Sequence, residues 1–190
     1  MALISIALCG FAVAQQNKQA ALTTVGSVDI PKYLGKWYEI AKYPNKFQKQ
    51  CVGNTTATYS QKANGKLEVL NECLKKDGTT DAAKADGKIA DKASNAKLKV
   101  RFAPGFLSFL PFVWADYWII DLDRDYEYAV VGEPKREYLW ILSRKPTIDE
   151  ALYQQILSRI ESKGFVPTRL VKTPQNMTTV RGAAVEKQNL

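Results

Sequence analysis

The sequence predicts an all-β protein, an eight-stranded up-and-down antiparallel β-barrel with one C-terminal α-helix packed on the outside. The chain has 190 residues, 46% of them hydrophobic and 24% charged, which is enough for one well-buried domain. Eight short runs along it alternate between apolar and polar residues, and turn residues interrupt them at fairly even intervals. Eight strands of this kind can close a barrel.

Each predicted strand has the period-two alternation of a sheet with one buried face. The strands are expected at 37–43, 54–60, 66–74, 80–89, 96–102, 116–121, 127–131 and 138–144. Short polar turns are expected at 64–65, 91–95 and 123–125. Longer loops with Pro or Gly are expected at 44–53, 103–115 and 132–137. Because alternate connections of an up-and-down barrel lie at opposite ends, one end should be closed and the other open.

A C-terminal helix and a short ninth strand are expected after the eighth strand. The run 147–150 fits a capping box, in which the Thr147 hydroxyl and the Glu150 carboxylate satisfy exposed backbone donors. Apolar residues then recur at helical spacing and should pack on the outer wall of the barrel: Leu152, Ile156 and Ile160. Gly164 would end the helix, and 166–171 is expected to return and pair with the barrel edge.

The N-terminus has the pattern of an export signal. Residues 2–13 are apolar and uncharged and end in small residues before a polar run, and about a dozen apolar residues cannot span a bilayer. Lipoprotein anchoring through Cys9 is the alternative, but that processing needs a small residue before the cysteine and Leu8 is bulky. We therefore expect cleavage after Ala14 and an exported protein.

Two further stretches have little pattern and are expected to be flexible ends. The predicted organisation is a signal peptide at 1–14, a flexible segment at 15–28, one domain at 29–174 and a flexible tail at 175–190.

Signal cleavage would leave two cysteines, Cys51 and Cys73, in a protein destined for an oxidising compartment. A disulfide is the expected state, and a free reactive thiol is the alternative. Counted back from the turn at 64–65, the two cysteines are a few positions away from direct opposition. A bulge or a bent loop must therefore close the gap.

The amino-acid composition excludes several types of catalytic and metal-binding site. The chain has no histidine, which excludes Ser-His-Asp and Cys-His nucleophile systems, imidazole-held haem and His-built zinc sites. Two cysteines do not make a structural metal site, so we expect neither a metal nor a cofactor. The net charge of +8 suggests an acidic partner. For an exported protein a membrane surface fits better than nucleic acid, because the basic residues are scattered.

Trp37 begins the first strand and Arg144 ends the last, so both should lie at the closed end of the barrel. A guanidinium over an indole face gains about 1–2 kcal/mol when it is partly desolvated. We therefore expect Gly35, Trp37 and Arg144 to form the floor of the barrel and to shape the cavity without selecting its contents.

From 29 to 174 the chain resembles the lipocalins. Gly35-Lys36-Trp37-Tyr38-Glu39 matches the first signature of that family, and Arg144 before the helix matches the third. The second signature, usually Thr-Asp-x-x-Tyr, departs here, because Leu122-Asp123-Arg124-Asp125-Tyr126 lacks the threonine. The phrases around Trp37 and Arg144 are most similar to the branch with the bacterial outer-membrane lipocalin, apolipoprotein D and the plant temperature-induced lipocalin. The resemblance implies binding of fatty acids, lysophospholipids or steroid-like molecules. It also implies that the exported protein is periplasmic or associated with the outer membrane of a bacterium.

Side-chain alternation from Trp37 predicts which residues face inward. Ala41 belongs to this inward set, and the predicted ligand-binding residues are Glu39, Tyr59, Val69, Asn71, Phe102, Tyr117, Ile119, Tyr138, Trp140 and Leu142. The resemblance supports five of them: Tyr59, Asn71, Phe102, Tyr117 and Trp140. A solid core is the alternative to a cavity, and only the resemblance favours the cavity. No inward Arg or Lys is expected, which favours a lysophospholipid or a neutral ligand over a free fatty acid.

The loop before the sixth strand is unusually apolar and should lie at the open end, the mouth of the barrel. Its mouth-loop residues are Phe106, Leu107, Phe109, Leu110, Phe112 and Trp114. Such a loop can be a lid, a membrane contact, a homodimer contact or a loop packed on its own barrel.

The expected function is non-enzymatic binding, storage or transport of a lipid in the cell envelope, with a lysophospholipid or long-chain fatty acid held in the barrel. One alternative is a lipocalin-type enzyme, which would need Cys51 or Cys73 as a free, low-pKa thiol. Another is an interaction module that acts on a membrane or a second copy through the mouth loop.

Overall fold

A computed structural model describes residues 20–102 and 113–177. The predicted signal peptide, Cys9 and every mouth-loop residue except Trp114 lie outside these ranges. Within them, no helix is long and apolar enough to cross a membrane.

The strands are β1 (Gly35–Lys42), β2 (Cys51–Gln61), β3 (Leu67–Lys75), β4 (Thr80–Ile89), β5 (Lys97–Arg101), β6 (Ala115–Leu122), β7 (Tyr128–Gly132), β8 (Leu139–Ser143) and β9 (Val171–Lys172). The α-helices are α1 (Ile30–Tyr33) and α2 (Glu150–Ser162), and short 3-10 turns lie at Lys46–Gln48 and Pro167–Arg169.

Strands β1 to β8 form a closed barrel. Each strand from β2 to β7 pairs antiparallel with the one that follows it. β1 pairs with both β8 and β2 and so closes the ring. The predicted fold class is confirmed.

Alternation along the strands produces two apolar layers. The inner layer lines the interior of the barrel and includes Trp37, Val69 and Ile119. The outer layer lies between the barrel and α2, where Ile156 packs against outward residues such as Ile141. The helix therefore covers one side of the barrel from outside, as the sequence predicts.

A β-bulge in β1 changes which residues face inward. Glu39 pairs with Leu142, but Ala41 pairs with Ile141, so the alternation shifts by one residue between Glu39 and Ala41. The prediction that Ala41 faces inward is wrong, because the bulge places it in the outer layer. The same shift turns Lys42 to the inner face, opposite Trp140.

The start of α2 differs from the predicted capping box. Asp149 is the N-cap, and its carboxylate accepts a hydrogen bond of 3.0 Å from the Leu152 amide. A carboxylate at this position also complements the positive end of the helix dipole, which explains why the cap is two residues later than Thr147. The end of the helix agrees with the prediction, since Gly164 has a positive φ of 82°.

The ninth strand is shorter than predicted. Pro167 has no amide proton and lies in a 3-10 turn, which restricts pairing to β9 itself. β9 pairs with Ala41 and Lys42 at the upper end of β1, where β1 no longer pairs with β2. The upper end of the barrel is therefore completed by the C-terminal segment.

Residues 20–28 and 175–177, on either side of the predicted domain, contact the barrel. Leu22 and Val28 are buried, and the Val25 amide donates to the Ile119 carbonyl at 3.0 Å. At the other end, the Gln175 side-chain amide donates to the Glu39 and Thr55 carbonyls at 2.8 and 3.0 Å. Residues 20–28 and 175–177 are thus tied to the barrel by buried side chains and hydrogen bonds.

Candidate functional site

The floor of the barrel is a stack of Arg144 on Trp37. The guanidinium carbon lies 3.7 Å from the centre of the indole ring. Arg144 also donates to three backbone carbonyls, those of Lys32 (2.6 Å), Lys36 (3.0 Å) and Tyr126 (3.3 Å). Gly35 has a φ of +94°, a conformation that favours glycine, and a Cβ at this position would lie 3.4 Å from the Arg144 guanidinium. These contacts close the lower end of the barrel against water.

Three tyrosines form a hydrogen-bonded cluster above the floor, here called the tyrosine triad: Tyr33, Tyr59 and Tyr117. The Tyr117 hydroxyl lies 2.8 Å from that of Tyr33 and 2.6 Å from that of Tyr59. Tyr33 is joined to the floor, because its carbonyl accepts a hydrogen bond of 2.9 Å from the Trp37 indole. The triad therefore lies inside the barrel next to the floor.

The triad stays protonated at physiological pH. Burial raises the pKa of Tyr59 to about 12 and raises the pKa values of Tyr33 and Tyr117 well above the usual value for tyrosine. A low-dielectric surrounding disfavours the phenolate, so the three groups act as neutral donors and acceptors.

The wall above the triad combines buried apolar residues with partly accessible ones. Val69, Ile119 and Leu142 are buried in the inner layer. Asn71 pairs with Ala57 on the inner face, and both are partly exposed. The Asn71 amide forms no hydrogen bond with any residue in the described part of the chain. Partial exposure on an inward face indicates open space in this part of the barrel.

A polar cluster lies on the inner face near the mouth. The buried Glu39 carboxylate accepts from Gln48 at 2.6 Å and from Thr173 at 2.5 Å, and it forms an ion pair of 2.9 Å with Lys42. The expectation of no inward basic side chain is therefore wrong at Lys42. The cause is the bulge in β1, which reverses the direction of the residues after it.

Aromatic rings form one side of the mouth. Tyr138 and Trp140 stack with their centres 6.0 Å apart, and the exposed Phe47 ring lies 5.6 Å from Tyr138. The Trp140 indole donates to Gln48 at 3.1 Å, which joins this aromatic group to the polar cluster. The rings and the cluster therefore border one opening.

Phe102 and Trp114 do not face the buried interior. Phe102 is 54% exposed at the end of β5 and does not belong to the buried interior. Trp114 lies on the outer face, where Lys88 approaches its ring centre to 4.1 Å and Arg101 to 4.9 Å. Both residues lie just outside β5 and β6, so strand alternation does not fix their orientation.

The disulfide between Cys51 and Cys73 is confirmed. The two Cα atoms are 5.5 Å apart, and register shifts in β2 between Cys51 and Thr56 provide the predicted bulge. This bond ties β2 to β3 near the mouth. It also occupies both thiols that the enzyme alternative required.

No cluster of metal-ligating side chains occurs among residues 20–102 and 113–177. The described site therefore consists of a sealed floor, a neutral tyrosine triad, a partly accessible wall and a polar and aromatic mouth. Such a site is suited to non-covalent binding of an elongated apolar molecule.

A comparison with family models places residues 28–175 in the lipocalin-like domain family. The chain is 38% identical to temperature-induced lipocalin-1 of Arabidopsis thaliana over 164 residues, which is 85% of this chain and 87% of that protein. It is 36% identical to outer membrane lipoprotein Blc of Citrobacter freundii over 177 residues, 92% and 95% of the two chains. It is 36% identical to apolipoprotein D of Mus musculus over 156 residues, 77% of each.

The architecture is also similar to a solved structure, insecticyanin from the tobacco hornworm Manduca sexta. The TM-score is 0.64 at 19% identity, with 80% of this chain and 84% of that chain covered. This match concerns the fold alone. The protein belongs to the lipocalin family, whose members bind small hydrophobic molecules.

Several residues of the site were not predicted from the sequence. The inward position of Lys42 depends on the bulge in β1. Phe47 and Gln48 lie in a loop, and strand alternation does not predict how a loop folds. Tyr33 had an available signal, since it lies four residues before Trp37 in the segment that leads directly into β1.

Proposed function

We propose that the protein binds and carries a lipid, a lysophospholipid or a long-chain fatty acid, with the acyl chain in the barrel. The observation that supports this most is the wall between the triad and the mouth, where inward residues such as Ala57, Asn71 and Trp140 keep partial exposure. A packed core would leave these inward positions inaccessible.

The size of the hydrophobic effect fits such a ligand. Burial of a sixteen-carbon chain contributes on the order of 11–12 kcal/mol at about 0.8 kcal/mol per methylene, before the cost of ordering the chain. The remaining free energy is enough for micromolar or stronger binding. An acyl chain therefore needs little help from polar contacts, which agrees with a mostly apolar wall.

The head group is assigned to the mouth. Lys42 supplies a cation for a carboxylate or phosphate, Glu39 supplies an anion for an ammonium group, and the Gln48 amide lies between Glu39 and Trp140. A zwitterionic head group matches the paired charges better than a single anion, which must compete with Glu39 for Lys42. This favours a lysophospholipid over a free fatty acid.

Tryptophan emission tests the proposal with a matched pair of variants. Lysophosphatidylcholine and hexadecanoic acid are titrated into the wild-type protein, Trp140→Phe and Trp118→Phe. Trp140 faces the wall, whereas Trp118 lies on the outer side beneath Lys97. We expect a saturable change in the wild type and Trp118→Phe, and a much smaller one in Trp140→Phe. Absence of any saturable change with either lipid rejects the proposal.

An exported location with contact to a membrane surface forms the second part of the proposal. It is supported by the outer face near the mouth, where Trp114 lies between Lys88 and Arg101. A basic residue near anionic lipid contributes about 1 kcal/mol, and an indole ring is suited to the interface. Fractionation of the native cell tests the location, and an entirely cytosolic protein rejects it.

Vesicle co-sedimentation tests the membrane contact. We expect binding to phosphatidylglycerol vesicles and little binding to phosphatidylcholine vesicles. The double variant Lys88→Gln, Trp114→Ala should weaken it, whereas Lys145→Gln at the closed end should not. Equal losses in the two variants would show that net charge alone causes the binding.

The two alternatives lead to different outcomes. The enzyme alternative has lost its nucleophile in the described structure, because Cys51 and Cys73 form a disulfide. The homodimer or interaction module acting through the mouth loop depends on residues 106–112, and deleting them would then abolish association while lipid binding persists.

A further inference from the structure

The tyrosine triad contains one more hydrogen-bond donor than it uses. Three phenols have three O–H protons, and two hydrogen bonds join them. None of the three hydroxyls has another partner within residues 20–102 and 113–177. Each bond uses one proton, so one proton is left over in every arrangement, on Tyr33, Tyr59 or Tyr117.

The surroundings make this spare donor costly. Tyr33 is 2% exposed and Tyr59 5% exposed, and both lie in the apolar inner layer with Trp37 and Val69. A buried O–H without an acceptor loses its hydrogen bond to water and gains nothing in return. A plain hydrocarbon end that fills the space above the triad leaves that donor unsatisfied.

An anion is a poor match for the same place. The lower end has exposed lysines on its outside, such as Lys32 and Lys145, and Arg144 at the floor, whose guanidinium is bound to Trp37 and three carbonyls. A carboxylate beside the triad would be buried without an ion-pair partner. The groups of the inner layer around the triad are otherwise apolar.

We propose that the triad is a donor site for an uncharged oxygen acceptor, such as a ketone, ester or ether oxygen, on the end of the lipid that enters the barrel first. This inference rests on the proposed function and specifies the ligand further. The barrel then binds chains that are polar at both ends, with the charged group at Glu39 and Lys42 and the neutral acceptor at the triad.

A matched pair of ligands tests the proposal: hexadecanoic acid and 15-oxohexadecanoic acid, which differ in one ketone near the end of the chain. The affinity ratio of the two is measured by calorimetry for the wild type and for the triple variant Tyr33→Phe, Tyr59→Phe, Tyr117→Phe. We expect the ratio to favour the ketone about tenfold more in the wild type than in the triple variant.

A single substitution provides a sharp control. Tyr38→Phe removes a phenol hydroxyl on the outer face of β1, so the triad keeps its spare donor and the preference for the ketone should persist. Equal affinity ratios in the wild type and the triple variant would overturn the proposal, and so would a loss of preference in Tyr38→Phe that is as large as in the triple variant.

A measurement on the wild type covers the case in which the triple variant does not fold. The infrared carbonyl stretch of bound 15-oxohexadecanoic acid, labelled with carbon-13 at the ketone, should lie at lower wavenumber than in hexane. An unshifted band overturns the proposal. If neither acid binds the wild type, the lipid-carrier function itself fails, whereas binding of both with an unshifted band rejects only the role of the triad.

Discussion

The two ends of the barrel satisfy their polar groups in different ways. At the closed end, Arg144 and the Trp37 indole donate to backbone carbonyls, whose positions the strands and α1 fix. At the mouth, Glu39, Lys42 and Gln48 are bonded mainly through side chains. Backbone acceptors cannot move without unfolding, but side chains can exchange partners. The closed end is therefore part of the fold, and the mouth is free to exchange its hydrogen bonds for those of a ligand.

The largest expected effect is the loss of stability caused by a substitution at the closed end, compared with one at the mouth. Trp37→Ala removes a fully buried indole and the ring beneath Arg144, and it should lower the free energy of unfolding by about 3–5 kcal/mol. Trp140→Ala removes a partly exposed ring and should cost less than half as much. Urea unfolding followed by circular dichroism measures both, and equal losses would contradict the proposed difference between the ends.

The second prediction concerns how the open end is held. The disulfide closes a sequence separation of 22 residues, so its removal should lower the free energy of unfolding by about 3 kcal/mol. Urea unfolding of the double variant Cys51→Ala, Cys73→Ala gives the value. The wild type with reductant is the control and should unfold at a similar urea concentration. If neither the double variant nor the reductant changes the urea midpoint of unfolding, the disulfide does not stabilise the mouth.

The third prediction concerns the interior between the ends. Burial raises the folded-state pKa of Tyr59 to about 12, whereas an unfolded tyrosine has a pKa of about 10. Below pH 10 both states keep the proton, and above it only the unfolded state releases it. The free energy of unfolding should therefore fall by about 1.4 kcal/mol per pH unit from this residue between pH 10 and about 12.

Urea unfolding at pH 9, 10, 11 and 12 measures this slope, and Tyr59→Phe should have a smaller one. If the variant and the wild type lose stability in parallel, other groups cause the change and Tyr59 is not enclosed as described.

The smallest expected effect concerns the mouth, whose side chains can exchange hydrogen-bond partners. Glu39→Gln leaves Lys42 without its carboxylate, so hexadecanoic acid should bind about fivefold more tightly relative to lysophosphatidylcholine. Lys42→Gln should shift the preference in the opposite direction. Competitive titration with both lipids gives the ratio. Unchanged ratios in the two variants would place the head group elsewhere.

The sequence predicted the barrel well because alternation and turn residues are local signals. The inward positions of Tyr59, Val69 and Leu142 follow from strand parity alone, and all three are buried in the inner layer. The inward or outward direction predicted from alternation was wrong where a strand is irregular. Ala41 and Lys42 lie beyond a bulge, and nothing in the residues 39–42 marks the place at which the alternation shifts.

Loop and terminal residues were harder to place for a related reason. Phe47 and Gln48 follow an Asn45 cap in a short 3-10 turn, and their contacts with Tyr138 and Trp140 join residues about ninety positions apart. The sequence predicted Thr147 as the N-cap of α2, but Asp149 is the N-cap in the structure. The two residues are both suitable caps and lie within one turn of each other. Local preference alone cannot decide between such neighbours.

The sequence by itself determined the class of fold, the closed end and the disulfide, because each depends on residue types whose partners are set by strand order. Tertiary structure decided the properties of the binding site. The bulge in β1 brought Lys42 to Glu39, the return of β9 completed the mouth, and the approach of Tyr33 to Tyr59 and Tyr117 left one donor spare. These features depend on distances between remote segments, which a period of two along the chain does not encode.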